Sequence, residues 1–112
     1  MERIINRRDL EFVLFELLNA ESLTARPRFA DHSRETFLAA LDTAEAIAAE
    51  KFATHNRKAD ENEPQFDGQR FSMIPEVKEA LKAFIDAGFM AAAHDYELGG
   101  MQLPVTLTQA CF

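Results

Sequence analysis

Beyond Ser33 the chain carries Phe37, Leu38, Leu41, Ala44, Ala48 and Phe52 at helical spacing, and this long apolar face dictates the architecture more than any other feature. Ile47 widens the stripe, and Asp31 and Ser33 are both good N-cap residue types ahead of it. A helix from about Arg34 to Lys58 is about 37 Å long at the standard rise, more than the diameter of many small domains. The sequence therefore predicts an elongated bundle.

The flanking segments supply shorter helices. Leu10, Val13, Leu14, Leu17 and Leu18 predict a helix from about Arg8 to Ala20, and Phe12 and Phe15, which lie off that stripe, predict cover on more than one side. Residues 21–32 lack a sustained period and contain Arg26-Pro27-Arg28, so they read as a connector. Residues 57–64 are polar apart from Ala59 and end in Pro64, which stops the long helix; Asp67-Gly68 between Phe66 and Phe71 then predicts a tight turn. Pro75 opens a third helix with Val77, Leu81, Phe84 and Ile85 as its apolar face and Gly88 as its stop. Pro104 opens a fourth through Val105, Leu107, Thr108 and Gln109. The expected fold class is all-α: an elongated helical bundle of about four helices with a short hairpin-like loop near 65–71. Residues 1–112 read as a single helical domain, with 1–32 an N-terminal helix and connector. The run Ala110-Cys111-Phe112 stops in mid-pattern, as expected of the N-terminal part of a longer multidomain chain.

Charge and cysteine count exclude several function classes. In 112 residues, 12 Lys and Arg face 19 Asp and Glu, a net charge of -7 that argues against nucleic acid as a partner. One cysteine, Cys111, can form neither an intramolecular disulfide nor a thiolate metal cluster. Charges interrupt every short apolar run from Met1 to Asp9, so neither a signal peptide nor a membrane span fits. The chain reads as cytoplasmic.

No residue pattern carries a chemical assignment. His32, His55 and His94 lack metal-ligand partners at convincing spacing; His32 and Glu35 are in the reverse order of a di-iron Glu-x-x-His pair. His94-Asp95 resembles half of a base-and-orienter pair without a third member, and neither Ser72 nor Thr106 sits in a nucleophile turn. Cys111 has no basic neighbour in sequence, and Gly99-Gly100 lacks the later glycines of a phosphate cradle. Phe37, Phe52 and Phe84 fall on core faces, whereas Phe29, Phe66, Phe71, Phe89 and Phe112 lie outside regular faces and predict cover by a second domain or subunit. Catalytic, cofactor-binding and metal residues are accordingly assigned to none of these positions.

The order of long helix, acidic break, Pro75-led helix, Gly88-Phe89 and a loop ending Glu97-Leu98-Gly99-Gly100 resembles the N-terminal helical domain of the acyl-CoA dehydrogenases from about Phe37 to Pro104. That family carries an Ala-rich helix like Ala44-Glu45-Ala46-Ile47-Ala48-Ala49-Glu50, an Asp such as Asp60 near its end, and a Pro-Glu-Glu-Tyr-Gly-Gly-x-Gly loop. Here Asp95 and Gln102 replace the Pro and the third Gly. The added first helix and the stretch from Phe66 to Phe71 resemble the longer methylthiopropanoyl-CoA dehydrogenase-like branch. The resemblance implies an FAD enzyme, with an acyl-CoA substrate, an electron-transfer flavoprotein as partner and a homo-oligomeric state. In it a glutamate removes the acyl α-proton while hydride passes from the β-carbon to the flavin, giving a trans-2-enoyl-CoA. The implied share of the helical domain is one wall of the acyl and flavin cavity, with Leu98 and Leu103 as candidate lining; FAD is not expected to bind this portion alone. The same resemblance leaves open a family relative that passes electrons to oxygen instead of an electron-transfer flavoprotein. The alternative reading is a free-standing helical interaction module with no enzymatic activity.

Overall fold

The computed structural model describes residues 4–112, which form an all-α bundle with one two-stranded hairpin. Helix α2 (Arg34–Ile47) starts at Ser33: the Ser33 hydroxyl accepts the Thr36 amide, and the Thr36 hydroxyl accepts the Ser33 amide. This reciprocal cap satisfies donors that the first turn would otherwise leave unpaired. The helical path then continues through a π-helical turn (Ala48–Phe52) and a 3-10 turn (Ala53–His55) into α3 (Asn56–Glu61). The rod stretches the molecule to 52 × 33 × 18 Å.

Helix α1 (Arg7–Glu11) is capped by the Asn6 side chain and runs into a π-helical turn (Phe12–Leu17), where the Leu18 amide bonds the Val13 carbonyl at 2.9 Å. A π turn accommodates an extra residue and so rotates the side chains that follow it. The expected stripe is broken as a result. Leu14 and Phe15 are buried with Leu10 packed beside them, while Val13, Leu17 and Leu18 face solvent together with Phe12. The helix stops before Ala20 because Asn19 turns left-handed at φ 50°, and two 3-10 turns (Ala20–Ala25 and Pro27–Phe29) make up most of the connector.

Strands β1 (Gln65–Phe66) and β2 (Phe71–Ser72) pair antiparallel, with Phe66 opposite Phe71 and their rings stacked at 4.6 Å. Helix α4 (Pro75–Asp86) begins at Pro75 and is stopped by Gly88, which has a φ of 89°. Its inner face differs from the expected one. Ala80 is the buried residue, Val77 and Phe84 are half-buried, and Leu81 and Ile85 are each 47% exposed. A small side chain at the contact allows close approach to the α2 rod, leaving the longer apolar residues on its flanks.

Helix α5 (Val105–Cys111) packs along α2. Between them lies the core: Phe37 and Leu107 are fully buried, joined by Leu41, Leu103 and Ala92 and, from the N-terminal segment, Leu14, Phe15 and Ala20. The Arg34 guanidinium covers the Phe15 ring at 4.3 Å, a cation–π contact that seals this edge.

Candidate functional site

The π turn, α4 and α5 enclose an open apolar trough of ≈ 530 Å³. Ala44 at the end of α2 and Ala48 at the start of the π turn Ala48–Phe52 keep its floor low; Leu81 and Phe84 supply one wall, and Cys111 and Phe112 the other. Phe84 sits between two further rings, stacked on Phe89 at 5.3 Å and edge-on to Phe112 at 6.1 Å. The side chains missing from the core at Leu81, Phe52 and Met90 therefore reappear as the lining of this trough. A smaller groove of ≈ 260 Å³ shares Ala44, Ala48, Cys111 and Phe112 with it and extends toward Leu10 and Arg7.

Among the described residues lining the two grooves, the charged side chains are Arg7 and Glu45, and they pair with each other. Arg7 meets Asp42 at 2.8 Å and Glu45 at 3.2 Å, which raises its pKa against the desolvation that opposes it. Burial pushes the Cys111 thiol up to about 11, against a smaller downward pull from Arg7, which keeps it protonated at neutral pH.

The structure does not assemble the other chemical candidates. His32 is tied up structurally, with Nε2 2.8 Å from the Met101 carbonyl and Nδ1 3.1 Å from the Thr36 hydroxyl. His55 is buried against Phe52, and its Nδ1 has no partner among the described residues. Asp95 pairs with Arg28 at 2.6 Å and not with the adjacent His94. Ser72 is exposed on β2, and Thr106 is half-buried on α5. No group of three or more His, Cys, Asp or Glu among the described residues is placed to hold a metal, and no helix among them is long and apolar enough to cross a membrane.

The glycine loop forms a compact turn. The Asp95 carbonyl accepts the amides of Leu98 and Gly100, both at 3.0 Å, and the His94 carbonyl accepts the Gln102 amide at 3.0 Å. Gly99 has a φ of 85°, and a Cβ on Gly100 would collide with the carbonyls of His94 and Ala91. Both glycines are thus required by shape. The two departures from the acyl-CoA dehydrogenase loop pattern have backbones that the pattern's residues would also adopt: Asp95 has a φ of -62°, the value that proline imposes, and Gln102 a φ of 47°, the region that glycine favours. Of the candidate lining residues beside this turn, Leu98 is 73% exposed, whereas Leu103 is buried in the core and lines neither groove.

No protein-family profile matches the chain. Its sequence is 32% identical over 107 residues to the broad-specificity linear acyl-CoA dehydrogenase FadE5 of Mycobacterium tuberculosis. The aligned region takes in 94% of this chain but spans 18% of that relative. The similarity supports a chain related to an acyl-CoA dehydrogenase, and it includes the N-terminal residues that the loop pattern leaves out.

Proposed function

We propose that this chain is the N-terminal helical portion of an FAD-dependent acyl-CoA dehydrogenase and that its apolar trough forms one wall of the acyl and flavin cavity. The observation that carries the reading is the similarity to an acyl-CoA dehydrogenase along 94% of the chain. The trough adds chemical support. Its lining is apolar apart from Cys111, which suits a hydrocarbon chain or the exclusion of water, and the relative's linear acyl-CoA substrates are of that kind.

The same lining does not fit a flavin as a ligand held by this chain. A flavin needs donors for its ring edge and positive or amide partners for its phosphates, and the trough's side chains provide neither. In this reading FAD is bound by other segments, supplies the hydride acceptor there, and is covered on one side by this domain. The domain 1–112 would then contribute apolar cover and no catalytic group. An electron-transfer flavoprotein as partner, a homo-oligomeric state and a cytoplasmic location belong to the same proposal.

The test is made on the product of the complete gene, purified and exposed anaerobically to a linear acyl-CoA. Bound flavin that bleaches on adding the thioester is the expected result, with Leu81→Glu weakening the response. A product without flavin, or flavin indifferent to every thioester offered, overturns the reading.

A further inference from the structure

We propose that the connector acts as an external splint for the glycine turn: Arg28 and His32 set the turn's shape and so hold the Tyr96–Leu98 tip in one presentation. Gly99 and Gly100 suit the turn by shape, but two of its other positions are not fixed by their own residue types. Gln102 occupies a left-handed backbone that a side chain disfavours, and Asp95 holds a proline-like φ without a ring to enforce it.

Both of these residues are instead bound to Arg28. Its guanidinium donates to the Asp95 carboxylate at 2.6 Å and to the Ala93 carbonyl at 3.1 Å, while its backbone carbonyl accepts from the Gln102 amide group at 2.9 Å. The Gln102 side-chain oxygen in turn accepts the Tyr96 amide at 3.2 Å. His32 secures the far side of the turn at the Met101 carbonyl. The bonds from Arg28 and His32 join segments 65 to 74 residues apart in sequence, as the separations of 65, 67, 69 and 74 show. They converge on the stretch that projects Tyr96, Glu97 and Leu98 into solvent, and so hold that exposed stretch from the side of the connector. This inference concerns the chain's own segments and stands independently of the enzymatic reading.

Amide hydrogen exchange on the chain itself provides the test. Arg28→Ala and Asp95→Ala should each speed exchange at the Leu98, Gly99 and Gly100 amides about five- to thirtyfold, the range of one lost anchoring contact. Amides within α2 should keep their rates, and the double variant should loosen the turn no more than Arg28→Ala alone, which already removes the bond to Asp95. Lys82→Ala, which breaks an exposed pair with Asp86 elsewhere, should leave the turn unchanged. A rise at the turn below about twofold overturns the proposal, as does an equal rise throughout α2, additivity in the double variant, or the same loosening in Lys82→Ala.

Discussion

Phe37 and Leu81 are both large apolar residues on helical faces, yet Phe37 is 0% exposed and Leu81 is 47% exposed. Truncating Phe37 removes a ring that contacts the core on all sides, so Phe37→Ala should lower unfolding free energy by about 3–5 kcal/mol. Leu81→Ala exposes no new core and should cost less than about 1 kcal/mol, although the helical period alone places it inward. Urea titration of the two variants checks both, and equal losses would reject the description of α4. Cys111 makes a chemical prediction. With its pKa raised to about 11 by burial, its alkylation rate should climb roughly tenfold per pH unit well past the point where an ordinary thiol levels off. A plateau near the ordinary thiol value of about 8.5 would show that the site is open to water.

At the level of elements, local chemistry sets the boundaries. The reciprocal Ser33–Thr36 cap should make Ser33→Ala cost about 1 kcal/mol in thermal unfolding, and a loss below about 0.3 kcal/mol would mean that α2 is held by tertiary packing alone. Ser33, Pro75, Gly88 and the Asp67-Gly68 turn were all legible in the sequence because each acts within a few residues of itself. At Asp67 the carboxylate accepts the Gln69 and Arg70 amides at 2.8 Å, and the bond from Arg70 first, then that from Gln69, lowers its pKa. Facing was less legible. A period of 3.6 assumes an unbroken α-helix, and the π turn at Phe12–Leu17 moves Phe15 inward and Leu17 outward. Ala80 was hidden for a different reason: apolar periodicity favours large residues, whereas close helix contact selects small ones. The glycine turn was recognisable, but Arg28 was not, since its partners at Asp95 and Gln102 lie far along the chain. The one available signal was that the two departures from the loop pattern are polar residues able to bond a common partner.

For the whole molecule, apolar exposure and net charge oppose each other. Phe52, Leu81, Met90 and Phe112 all lie on the trough side with 39–90% of their surface exposed, which favours association with any apolar partner, including another copy. A net charge of -7 at neutral pH resists that association by mutual repulsion. The repulsion fades as carboxylates protonate toward the pI near 4.9, while no Asp, Glu or His side chain lines the trough. Glu76 is held below the usual carboxylate range chiefly by its bond from Lys58, which ties α4 to α3. The chain should therefore sediment as a smaller species at neutral pH and associate as pH approaches the pI, still with helical circular dichroism. Leu81→Glu places a charge in the trough and should oppose association above the range where carboxylates protonate. If Leu81→Glu and the wild type associate alike across the whole range, the contact lies on another surface, and the exposed hairpin rings of Phe66 and Phe71 become the next site to alter.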